Sequence, residues 1–159
     1  MTDGKPNLWT AARAGDVEAV RRLIATDAPI NGGDAFGMTP LHWAAYAGKR
    51  EIAVMLIAAG ADVRARDASG EMPLHYAANK ATTEFAALTS GPWRRSGCPR
   101  RGRADAAIWN GRVATSALLI ARGADVEVAD GDGMTPLDRA GKRLFDDLAE
   151  LLRRHGGGR

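Results

Sequence analysis

Two short apolar stripes at helical spacing stand side by side in the middle of the chain. Leu41, Ala44 and Ala45 fall on one face of a helix that Thr39 can cap through its hydroxyl, and Pro40 suits its first turn, where a missing N–H costs nothing. Their small side chains let a second helix pack closely. Gly48 supplies a left-handed stop, after which Ile52, Leu56 and Ile57 form the stripe of the second helix, ended by Gly60. Ala61 to Asp67 then runs extended toward the next turn. The pattern predicts one unit of helix, turn, helix and hairpin loop.

This unit recurs with a period of 33. Gly37-Met38-Thr39-Pro40-Leu41-His42-Trp43-Ala44-Ala45 returns one period on as Gly70-Glu71-Met72-Pro73-Leu74-His75-Tyr76-Ala77-Ala78. Leu56-Ile57-Ala58-Ala59-Gly60-Ala61-Asp62-Val63 returns as Leu119-Ile120-Ala121-Arg122-Gly123-Ala124-Asp125-Val126, followed by Gly133-Met134-Thr135-Pro136-Leu137. These motifs resemble the ankyrin repeat, over the whole chain except about 89–107. The resemblance implies an all-α solenoid, since one unit cannot bury its apolar face and at least about three must stack. Five units are expected, at about 1–33, 34–66, 67–99, 100–129 and 130–155, in a single domain 1–155 with a disordered tail at 156–159. The first and last, opening on Lys5-Pro6-Asn7 and closing on Arg153, Arg154 and His155, read as polar caps.

The third unit is broken. Gly133 falls three positions short of two full periods after Gly70, and the stretch 89–107 is rich in Gly and Pro without apolar periodicity, so it reads as an irregular loop. Read one nucleotide forward, the codon of Trp93 followed by an arginine codon gives glycine one period after Gly60. That of Asp105 followed by an alanine codon gives methionine or threonine one period after Met72. A pair of compensating frameshifts fits this register; an ordinary basic insertion is the alternative. Weak coupling across the break is expected, with residues 1–80 unfolding apart from the C-terminal part.

Composition sharpens the picture at the same place. The net charge is +3, yet Arg94, Arg95, Arg100, Arg101 and Arg103 against the lone acid Asp105 give 89–107 a charge of +4, leaving −1 elsewhere. A basic surface spread over the fold is thereby excluded, and a nucleic-acid reading rests on the 94–103 segment alone. Ala, Gly, Arg and Pro make up 75 of the 159 residues, which suggests a GC-rich, bacterial genome. No apolar run approaches the ~18 residues of a membrane span. The N-terminus carries no secretory pattern, and one cysteine, Cys98, closes no intrachain disulfide, so a cytoplasmic location is expected.

Catalytic chemistry is sought and not found. The resemblance implies that His42 and His75 bond neighbouring loop backbone. His155 has no ligand-spaced partner, so no zinc site is credible. The acid-rich Asp130-Gly131-Asp132-Gly133 lacks the bidentate glutamate of a calcium loop. No phosphate loop or nucleophile elbow occurs. Nothing orients a base toward Cys98, and Asp146 and Asp147 face different ways on a helix.

The expected function is non-catalytic protein binding, with no cofactor or metal, by a monomer. Nucleic-acid binding through 94–103 and a regulatory or inhibitory subunit of an enzyme are the alternatives. The resemblance places the binding surface on hairpin tips and the exposed face of each first helix, here Ala35, Phe36, Met38, Tyr46, Ala47, Arg66, Ser69, Glu71, Asn79 and Lys80. Phe36, Met38 and Tyr46 are expected as exposed anchors that gain nothing for the fold, with Arg66, Glu71 and Lys80 as a polar rim.

Overall fold

A computed structural model of the protein describes residues 7–78, 103–140 and 146–156. Among these are eight helices: α1 (Leu8–Ala14), α2 (Val17–Ala25), α3 (Pro40–Tyr46), α4 (Arg50–Ala58), α5 (Pro73–Ala78), α6 (Arg103–Ala121), α7 (Pro136–Ala140) and α8 (Asp146–Arg154). α3 starts as the pattern predicts, with Thr39 before Pro40 at its first turn. Asn7 caps α1, accepting from the Thr10 backbone N–H at 2.9 Å while Thr10 Oγ1 accepts from the Asn7 N–H at 3.1 Å. Gly15 and Gly48 end α1 and α3 in the left-handed region, with φ of 84° and 64°.

The helices form an inner row, α1, α3, α5 and α7, backed by an outer row, α2, α4, α6 and α8, and neighbours within each row touch. Leu8, Leu41 and Leu74 of the inner row meet Val20, Leu56 and Leu119 of the outer row in one continuous buried core. Alanines at 11, 12, 44, 45, 77 and 78 are buried along the inner helices, and their small size permits the close approach.

Described residues stack in four layers rather than five. His42 Nε2 donates to the Glu71 carbonyl of the next layer at 3.1 Å, and His75 Nε2 donates to the Met134 carbonyl at 3.2 Å. The hairpin tips are joined in the same way: Ala68 N–H donates to the Phe36 carbonyl at 3.0 Å and Gly131 N–H to the Ser69 carbonyl at 2.9 Å. The hairpin at 67–72 therefore sits directly on that at 130–135, and no layer fits between them.

The described parts of 67–99 and 100–129, expected as two units, supply one layer. Its inner helix is α5, and its outer helix is the second half of α6, which packs on α4 and α8. The cause lies in α6, a single helix of 19 residues. It runs unbroken through Gly111, which precedes Gly123 by the same interval that separates Gly48 from Gly60, and so stands where Gly48 breaks the chain between α3 and α4. The turn that would divide a fourth unit into two helices does not form. Residues 103–107, expected within the loop, are helical; 89–102 lie outside the described residues, as do Cys98 and 157–159 of the expected tail. Among the described residues no helix is long and apolar enough to cross a membrane.

Candidate protein-interaction surface

One aspartate organises each hairpin. Asp34 Oδ1 accepts the backbone N–H groups of Phe36 at 2.9 Å and Met38 at 3.0 Å, and its Oδ2 accepts the indole N–H of Trp43 at 3.0 Å. Asp67 repeats this with Ser69, Glu71 and the Tyr76 hydroxyl, the last at 2.6 Å. Asp130 repeats it again with Asp132, Met134 and Arg139 Nε. Each tip is thus fixed by an Asx turn and tied to the inner-helix residue nine positions on. At Gly37, with φ 77°, an added Cβ would come within 3.2 Å of the Ala68 nitrogen, so the close approach of successive tips requires glycine there.

Aromatic rings cross the inner-helix face. Trp43 and Tyr46 meet edge to face with centroids 5.7 Å apart, Tyr46 and Tyr76 at 6.2 Å, and His42 and Tyr76 at 5.7 Å. Two arginines flank them. The Arg13 guanidinium lies 5.0 Å from the Trp43 ring centroid and that of Arg112 5.5 Å from the Tyr46 ring. Arg112 is buried and donates from Nε and Nη2 to the Tyr46 carbonyl at 3.0 and 2.5 Å, placing a cation at the negative end of α3. Burial pushes its pKa down from the usual arginine value, against the pull of Tyr46.

A charge cluster closes the last layer. Arg139 Nη2 lies 2.6 Å from Asp130, 3.1 Å from Asp132 and 3.2 Å from Glu71. Burial works to raise the Asp130 carboxyl, but backbone donation and Arg139 outweigh it and hold it below the usual carboxylate value. Burial wins at Glu71, whose carboxyl is raised although Arg139 opposes the shift.

These positions revise the expected surface. Ala35, Phe36, Arg66 and Ser69 are exposed at the tips, Phe36 at 69%. Tyr46 and Ala47 are half-buried on and beside α3. Met38 and Glu71, expected as an exposed anchor and a rim charge, are buried, at 7% and 8% exposure. They share one register in successive units, in which the N–H bonds the hairpin aspartate and the side chain folds beneath the tip. Asn79 and Lys80 lie outside the described residues, as do 94–102. Sequence reasoning missed Arg13, Trp43, Tyr76, Arg112 and Arg139 as parts of this face. A polar or aromatic residue nine after each hairpin aspartate was the available signal.

Both buried histidines are structural. The Thr39 and Met72 N–H groups donate to Nδ1 of His42 and His75 at 3.1 Å, which leaves the proton on Nε2 for the interlayer bond. Burial lowers both pKa values, while backbone bonds and nearby aspartates act against it. Among the described residues no group of three or more His, Cys, Asp or Glu could hold a metal ion.

Paired short helices in a stack, braced by hairpin tips tied layer to layer, define a helical repeat solenoid. Residues 2–67 match the family model for ankyrin repeats (three copies), and that part of the chain belongs to the ankyrin-repeat family. The layers beyond it continue the same geometry through α5 to α8. A general, non-catalytic protein-binding role goes with this family.

Proposed function

We propose that this chain captures a protein partner on its hairpin tips and the exposed face of its inner helices, with Phe36 as the central anchor. Ala35, Ser69 and Arg66 flank it along the tips, and Tyr46 and Ala47 extend the surface onto α3. One observation carries the reading. Phe36 is a large apolar side chain, 69% exposed, on backbone held by Asp34 on one side and by Ala68 of the next tip on the other. An exposed aromatic on a rigid support adds nothing to the fold, whereas truncating such an anchor at an interface costs roughly 2 kcal/mol or more. A standard interface covers about 800 Å² per partner, which the tips and inner face of three consecutive layers can supply. Expression in the reducing cytoplasm accords with a single cysteine.

The test is capture of partners by the full chain, identified by mass spectrometry, beside the Phe36→Ala variant. The variant is expected to lose the specific partner and keep the wild-type melting temperature. Retention at wild-type affinity would place the surface elsewhere.

A further inference from the structure

The charges on the inner-helix face are unevenly satisfied. Asp34, Asp67 and Asp130 each accept three hydrogen bonds from their own hairpin and helix. Glu71 and Asp132 are paired with Arg139, and Arg112 is buried on the Tyr46 carbonyl. Arg13 differs. It is exposed on the last turn of α1, its guanidinium is stacked on Trp43, and no carboxylate pairs with it among the described residues.

That stack is joined to the tip. Asp34 holds the indole of Trp43 with one oxygen and the backbone of Phe36 with the other, so Phe36, Asp34, Trp43 and Arg13 form one braced line from tip to inner helix. The Arg13 side chain is exposed with its guanidinium 5.0 Å from the Trp43 ring centroid, and a guanidinium offers a carboxylate a bidentate pair of N–H donors.

Resting on the surface proposed above, we infer that Arg13 is the specificity residue of this site and that the partner presents an acidic segment, one carboxylate seated on the Arg13 guanidinium and an apolar neighbour on Phe36. A carboxylate there gains two charge-assisted bonds, with no carboxylate of the described residues to displace. A cationic segment would meet like charge at Arg13.

The probe is a capped decapeptide of glutamate and leucine, with its glutamine counterpart and a ten-nucleotide RNA as comparisons, titrated into the full chain. The readout is the indole N–H resonance of Trp43, assigned with Trp43→Phe. The glutamate peptide is expected to shift this resonance and the glutamine peptide to bind at least about tenfold more weakly, as loss of a charged hydrogen-bonding partner implies. Arg13→Gln is expected to weaken the glutamate peptide by a similar factor, with Arg103→Gln unchanged. Equal binding of the two peptides, wild-type affinity in Arg13→Gln, no binding of the glutamate peptide, or preference for RNA at this resonance would each overturn the assignment. Partner capture that is lost in Phe36→Ala but kept in Arg13→Gln would overturn it while leaving the surface intact.

Discussion

At the scale of single residues, aromatics that look alike in sequence do different work. Phe36 touches solvent, whereas Tyr46, expected as its companion, is half-buried between Trp43 and Tyr76 and carries Arg112 over its ring. Edge-to-face pairs contribute ~0.5–1.5 kcal/mol each beyond burial, so Tyr46→Ala should lower stability by roughly 2 kcal/mol. Urea denaturation with Phe36→Ala as reference checks this; equal midpoints for both variants would refute it. The histidines give a pH dependence. Their folded pKa values are lowered by burial, so the unfolded chain binds more protons once the pH drops below about 6.5. Stability should decline as pH falls from 7.5 toward 5.5, with Glu71, raised by burial, acting in the opposite sense. A flat urea midpoint over that range would contradict the assignment. The bonds of His42 and His75 were legible from their motif. The burial of Met38 and Glu71 was not, because a position beside an exposed tip carries no signal of which way its side chain folds.

At the scale of elements, helix starts and stops followed the capping residues closely, since each terminus depends on groups within a few positions. Thr39, Pro40 and Gly48 bracket α3 as the pattern predicts, and Gly60 follows α4 with φ 96°. The first layer departs in one place. Asp27 stands one period before Gly60 and adopts φ 60°, the left-handed conformation that glycine takes freely and an L side chain takes at a cost of about 1 kcal/mol. Asp27→Gly should therefore raise stability by up to about 1 kcal/mol, because glycine removes that strain and part of the gain is offset by its greater freedom in the unfolded chain. A melting temperature below wild type would show that the Asp27 side chain contributes something its geometry does not reveal. The length of α6 was the element least legible in advance. A glycine in a helix interior costs only ~1 kcal/mol, so Gly111 does not stop a helix whose outer half is held by packing.

At the scale of the whole molecule, the repeat and its break were both visible in the chain, yet counting periods led to one layer too many. Stacking registers depend on contacts between residues far apart, which a period alone does not reveal. The bonds from His75 to Met134 and from Gly131 to Ser69 join the third layer directly to the last, and that from Arg64 Nε to Gly123 joins the second to the third. These bonds run across the break at which weak coupling between the two halves is expected. Gly133 lies 30 positions more than a single period after Gly70, and along the chain α5 and the packed half of α6 stand on either side of that surplus. Arg112 follows Gly111 as Lys49 follows Gly48. The Lys49 side chain crosses Gly15 at the end of α1, and Arg112 crosses the end of α3 in the same manner, one layer on. Both cations sit at the carbonyl end of the preceding inner helix, and neither depends on how the chain travels from α5 to α6. Deleting residues 80–109 joins Asn79 to Asn110, returns Gly111 to the place of Gly48 and restores the regular period. Loop-closure entropy changes slowly with length and shortening the connection lowers it, so the deletion variant should fold and unfold in one transition at no lower a midpoint than the full chain. It should also keep Phe36-dependent capture, since tips and inner helices are untouched. Circular dichroism and urea titration of the variant decide the matter: loss of helical signal, or two separated transitions, would mean that the inserted segment helps to build the layer it interrupts.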